Sequence, residues 1–114
     1  MSFKVTPRES NGVTLIDVSG RITLGEGSAL LRQMIRELLS KGQKRIVLNL
    51  ADVNYIDSSG IGELVSGYTT VKNQGGELKL LHLTKKVHDL LQITKLFTVF
   101  DVHSDEQTAI HSFV

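Results

Sequence analysis

Ile46-Val47-Leu48-Asn49-Leu50 is a five-residue run too apolar on both faces for a surface strand, and it leads through residues 51–56 into Asp57-Ser58-Ser59-Gly60-Ile61-Gly62. A short apolar run of this kind reads as a central strand covered on both sides, which is the usual setting of a parallel strand. Ala51 to Asp57 reads as the loop that follows it. From Ser58 to about Asn73 the period changes to that of a helix, with Ile61, Leu64, Val65, Tyr68 and Val71 on one stripe and Gly75-Gly76 as its stop. A buried strand, a polar loop and an amphipathic helix make half of a strand–helix–strand unit.

The pattern repeats outward in both directions. Downstream, 78–83 reads as a fourth strand, and Thr84 caps a short helix carrying Val87, Leu90 and Leu91. Thr98-Val99-Phe100 reads as a short fifth strand. Ser104 at N-cap and Gln107 at N3 match a capping box that opens a last helix with Ala109, Ile110 and Phe113. Upstream, Ala29, Leu30, Leu31, Met34, Ile35, Leu38 and Leu39 form an apolar stripe on a helix that begins near Glu26 to Ser28 and ends at Gly42. Before it, Phe3 and Val5 alternate with Lys4 and Thr6, and Pro7 restricts that strand to a sheet edge. Asn11-Gly12 then predicts a tight hairpin into residues 13–18, since both residues tolerate the positive φ of a type I′ turn. The expected fold is one α/β domain over residues 1–114. Its sheet is mixed and mainly parallel, with an N-terminal antiparallel hairpin and about four helices.

Composition excludes several classes. The 114 residues are 40% hydrophobic and 22% charged, the balance of an ordinary globular domain. With 13 Lys+Arg against 12 Asp+Glu the formal charge is +1, so no strong field draws the chain to nucleic acid or to a membrane surface. There are no cysteines, which removes disulfides, thiolate nucleophiles and cysteine metal sites. The N-terminus has no apolar core of a signal peptide, and apolar runs fall far short of the ~20 residues that cross a bilayer, so a cytoplasmic protein is expected.

Enzyme templates fail in turn. The histidines at 82, 88, 103 and 111 have neither H-x-x-x-H nor H-E-x-x-H spacing, no serine has the surround of a nucleophile elbow, and no dinucleotide or Walker A glycine pattern occurs. No metal, cofactor or catalytic residue is expected. The one dense constellation is Asp57-Ser58-Ser59-Gly60-Ile61-Gly62, at the carboxyl end of the central strand where sites on open α/β sheets form. Asp, Ser and Gly are preferred N-cap residues, so the run also fits a plain helix start. Two features exceed capping: a second adjacent hydroxyl, and two first-turn glycines that each cost about 1 kcal/mol against Ala. Missing side chains there admit another backbone or a nucleotide, and a hydroxyl at a helix N-terminus tolerates an added phosphate.

At these residues the sequence resembles the anti-sigma-factor antagonists of bacteria, whose fold is the STAS domain. The resemblance rests on Asn49-Leu50, Tyr55-Ile56-Asp57-Ser58-Ser59-Gly60-Ile61-Gly62 and Gly75-Gly76-Glu77-Leu78, and it extends from Gly20 to Leu96-Phe97. It implies a protein-interaction switch. The unphosphorylated form binds an anti-sigma factor that is itself a serine kinase and so frees the sigma factor. Phosphorylation of the first serine ends binding, and a protein phosphatase resets it. Carried across, the acceptor is Ser58, with Ser59 as the neighbouring hydroxyl, Asp57 as the flanking acid, and Gly60 and Gly62 permitting close approach of the partner.

One position departs from the family pattern. Many members carry Asp three residues after the glycine of the second strand, and Thr23 stands there in Gly20-Arg21-Ile22-Thr23-Leu24-Gly25-Glu26-Gly27. Glu26 offers a replacement charge from another place, or the loop suits a different partner. Other readings of the same fold are a scaffold or sensor module that never releases a sigma factor, a nucleotide-binding module using the loop at Ser58, and, last, a hydrolytic enzyme.

Overall fold

β1 (Lys4–Ser10) and β2 (Val13–Ile22) form the expected antiparallel hairpin, closed by Asn11 at φ 53° and Gly12 at φ 78°. The structure, a computed structural model, describes residues 3–23 and 25–113, the Glu26 side chain excepted. The remaining elements are α1 (Glu26–Ser40), β3 (Arg45–Ile56), α2 (Ser58–Asn73), β4 (Glu77–Leu81), α3 (Lys85–Ile93), β5 (Val102–His103) and α4 (Glu106–His111). The five strands lie in sequence order, β1-β2-β3-β4-β5, and every pair after the first is parallel.

Strands that advance in one direction through right-handed crossovers put their helices on one face. The core agrees. Leu31, Ile35 and Leu38 of α1, Ile61, Leu64 and Val71 of α2, and Val87 and Leu91 of α3 share a cluster with Ile16, Val18, Ile46, Leu48 and Leu80. The other face is covered by α4, whose Ala109 and Ile110 pack on Val13, Leu15, Val47 and Leu81. β3 is therefore buried on both sides, as its composition requires. Ala29, part of the expected α1 stripe, is exposed.

Helix ends follow backbone rules. At the end of α1 the Gly42 N–H bonds the Leu39 carbonyl and the Gln43 N–H bonds the Leu38 carbonyl. The end of α2 repeats the arrangement from Gly75 and Gly76 to Lys72 and Val71. These paired bonds satisfy carbonyls that a terminating helix leaves free. α3 ends in the same way with Lys95 at φ 62°, where a glycine is usual.

Four expectations are corrected. Residues 51–56 are strand, not loop: β3 runs on to Ile56 beside β2. Two register shifts, between Asp17 and Ser19 and between Gly20 and Arg21, each give β3 one extra residue. Each such bulge moves the buried face by one position, so Leu50, Val53 and Ile56 are buried at spacings of three instead of two. Asn49 serves the first bulge, its side-chain oxygen accepting from the Ala51 N–H and its amide donating to Asp17. Second, the fourth strand stops at Leu81, because His82 turns to φ 58°. Third, the fifth strand is Val102–His103, and 98–100 form a turn that exposes Val99 while Phe100 inserts into the core. Fourth, α4 is capped by Asp105, whose carboxylate accepts from the Thr108 N–H, so Ser104 lies outside the helix.

Arg8 ties the sheet edge to α4. Its guanidinium lies 2.7 Å from an Asp17 oxygen and 2.7 and 2.9 Å from the two Glu106 oxygens. The hydrogen bonds from Arg8 hold both carboxyls below their ordinary values of 3.8 and 4.5. A carboxyl depressed in the folded state adds stability that is complete above its ordinary value and is lost as pH falls through the depressed one. Arg8→Ala is therefore expected to lower the melting temperature at pH 7 by a few degrees, since partly exposed pairs contribute about 1 kcal/mol or less. The difference from wild type should narrow below about pH 4 and vanish once both carboxyls are protonated. Thermal melts of both proteins from neutral to strongly acid pH check this, and a constant gap across the range contradicts it.

Candidate functional site

β3 outruns β4. Its pairing with β4 ends at Asn49 opposite Leu81, while its pairing with β2 continues to Ile56 opposite Ile22. The carboxyl ends of β2 and β3 thus project together, and the loop carrying Thr23 leaves beside the start of α2. Thr23 is half-buried and its carbonyl accepts from the buried Ser28 hydroxyl at 2.7 Å, which fixes the loop to the first turns of α1. Glu26 opens α1. The charge expected of its side chain lies outside the described parts of the molecule.

Asp57 leaves β3 in extended conformation, and its carboxylate accepts from the Gly60 N–H at 2.9 Å. That bond is the helix cap. Neither serine is needed for it. Ser58 and Ser59 occupy the first two helical positions and are exposed, and among the described residues their hydroxyls make no hydrogen bond. Two solvent-facing hydroxyls thus stand at the positive end of α2, whose first turn has unpaired N–H groups.

The two glycines separate. Gly60 is buried, and a Cβ placed on it would lie 2.1 Å from the Ile22 carbonyl oxygen and 2.7 Å from Ile56 Cγ1. The backbone that approaches Gly60 is the chain's own β2, which corrects the expectation that a partner does so. Gly62 is exposed and a Cβ there meets nothing within 4 Å. Gly62→Ala is accordingly expected to raise stability by up to about 1 kcal/mol through helix propensity, read as a higher denaturation midpoint. A lower midpoint would mean that the helix needs the glycine for another reason.

One cluster has no signal in the sequence. The Arg21 guanidinium carbon lies 4.4 Å from the centre of the Tyr55 ring, and Lys86 Nζ lies 5.1 Å from the same centre. Arg21 pairs with Tyr55 across the β2–β3 ladder, whereas Lys86 arrives on the first turn of α3. Only the topology joins three residues so far apart in the chain.

Elsewhere, an open hollow of about 540 Å³ lies among Lys44, Arg45, Lys72, Gly75, Gly76 and Glu77, and does not include Ser58. Among the described residues no three His, Asp or Glu side chains are grouped to hold a metal, and no helix is long and apolar enough to cross a membrane.

The comparison with known proteins bears on this surface. The chain is 26% identical over 110 residues to the anti-sigma F factor antagonist of Paenibacillus polymyxa, covering 96% of this chain and 94% of that protein. It is 28% identical over 110 residues to the anti-sigma-B factor antagonist of Bacillus subtilis, covering 96% and 99%. The solved structure of the Bacillus cell fate determinant SpoIIAA in its phosphorylated form superposes with a TM-score of 0.72 at 19% identity, covering 97% of this chain and 98% of that one. At that identity the likeness establishes the fold. The profile of the STAS domain matches residues 4–109, from the first strand into the last helix, and the chain belongs to the STAS domain family.

Proposed function

We propose that this protein is an anti-sigma factor antagonist switched by phosphorylation of Ser58. In this reading the unphosphorylated form binds an anti-sigma factor that is also a serine kinase, and a protein phosphatase restores binding after phosphorylation. The observation that carries the proposal is the division of labour at the start of α2: Asp57 alone caps the helix, which leaves Ser58 and Ser59 as unengaged, exposed hydroxyls. A hydroxyl so placed is open to a kinase, and the positive end of the helix tolerates the phosphate once made. Two relatives covered over nearly their whole length are anti-sigma factor antagonists, and a neighbour of the same fold exists in a phosphorylated form. These support a regulatory binding protein over an enzyme.

The test uses purified Ser58→Ala as bait in lysate of the source organism, with mass spectrometry of what it retains. Expected is a protein with a serine-kinase ATP-binding domain that, given ATP, phosphorylates wild type at Ser58 and leaves Ser58→Ala unlabelled. Equal labelling of the two removes Ser58 as the acceptor and makes Ser59 the first alternative. Failure to retain any anti-sigma factor removes the proposed partner.

A further inference from the structure

We infer that Arg21, Tyr55 and Lys86 form the part of the docking surface that selects the partner, and that they select an acidic protein face. This deepens the function proposed above and rests on it. The observation is the pair of cations held on one ring. Both charges lie within about 6 Å of the ring centre, the distance at which the quadrupole of an aromatic face attracts a cation. Among the described residues neither Arg21 nor Lys86 has a carboxylate within ion-pair distance, although the adjacent Lys85 is paired with Asp89 at 2.7 Å. The nearest acid in sequence, Asp57, is engaged in capping.

The ring does two things for recognition. It orders two long side chains before any partner arrives, which reduces the entropy lost on binding. It also holds close a guanidinium that has no carboxylate on it among the described residues, and a guanidinium can receive a carboxylate through two parallel bonds. Tyr55 is three positions before Ser58 in the strand that feeds α2, and Lys86 opens α3 at the same carboxyl end of the sheet, so a body seated on that end can meet Ser58 and this cluster together.

The sign of the switch points the same way. A phosphate on Ser58 adds nearly two negative charges. At a close-fitting contact the bulk and desolvation of a dianion oppose binding whatever the partner's sign. Against an acidic partner the loss is larger, because the new dianion also repels that face and competes for Arg21 and Lys86. An off-switch made by phosphate thus acts most strongly where cations receive acids.

The probe is the anti-sigma kinase retained by Ser58→Ala, titrated without ATP. Arg21→Glu combined with Lys86→Glu is expected to weaken binding at least tenfold with the melting curve unchanged, and the matching pair of glutamines to weaken it less. Lys44→Glu with Lys72→Glu carries the same charge change at the opposite end of the sheet and should stay within about twofold of wild type. Raising salt from about 0.1 to 1 M, which shortens the screening length from about 10 to 3 Å, should weaken wild type more than the Arg21/Lys86 glutamate variant. If wild type binds the kinase and is released by phosphorylation but the Arg21/Lys86 variants bind equally, the inference falls and the proposed function stands. Equal losses from both glutamate pairs indicate net charge alone and overturn it. So does a loss confined to binding of RNA or anionic vesicles. If no kinase binds wild type at all, the function itself falls, and this inference with it.

Discussion

Gly60→Ala is expected to lower the melting temperature by about 5 to 15 °C. The added methyl would lie 2.1 Å from the Ile22 carbonyl oxygen, inside any real contact distance, and 2.7 Å from a buried Ile56 atom. Neither neighbour can yield easily. The carbonyl belongs to the end of β2, whose register is set against β3, and Ile56 is in the core. Overpacking of this kind costs about 1 to 3 kcal/mol, occasionally more, and a domain of roughly this size loses about 4 to 8 °C for each kcal/mol. The gain in helix propensity, about 1 kcal/mol, does not offset a displaced strand end. Gly62→Ala, two residues on with open space around it, should move the other way. Differential scanning calorimetry of the two variants beside wild type checks both, and an unchanged Gly60→Ala midpoint would mean that α2 slides freely over β2.

Phosphorylation of Ser58 is expected to weaken binding to the anti-sigma factor at least tenfold while leaving the fold in place. The dianion would sit at the positive end of α2, where charge–dipole attraction contributes about 0.3 to 1 kcal/mol in favour of the helix. Asp57 opposes it with a like charge next in sequence, a repulsion of about 1 kcal/mol at 4 Å in water. Both effects are small against the 5 to 15 kcal/mol that typically holds a domain together. At the interface the balance differs. A buried, unpaired charge costs several kcal/mol, and each 1.4 kcal/mol is a factor of ten in affinity. Melts followed by circular dichroism should place the two forms within a few degrees of each other. A collapse of thermal stability on phosphorylation would replace the local clash with a conformational mechanism.

The sheet, its parallel core and the four helices are legible in the sequence because their signals are local, only the cap of the last helix being one residue off. Asn11-Gly12 makes a hairpin by backbone freedom, the α1 and α2 stripes fall at helical spacing, and Thr84 accepts from the Val87 N–H as a cap should. The rest fails where tertiary structure overrides period. Leu50, Val53 and Ile56 look unlike a strand because two bulges shift the buried face twice, and bulges depend on the partner strand. Thr98-Val99-Phe100 has strand composition, yet the Leu80 and His82 N–H groups donate to the Asp101 and His103 carbonyls, which sets the fifth strand further on. At the site, Asp57-Ser58-Ser59 is legible as a helix start with hydroxyls to spare. The reason for Gly60 is not, since it lies in β2, and Arg21 and Lys86 are brought to Tyr55 by topology alone.

The central claim is that one phosphate on Ser58 ends partner binding. Calorimetric titration of the anti-sigma factor with unphosphorylated protein, and with the same protein phosphorylated at Ser58, measures it directly. The account predicts a saturable complex with the first and an affinity at least tenfold weaker with the second, which is a difference of about 1.4 kcal/mol or more. Equal affinities, or tighter binding by the phosphorylated form, would contradict it.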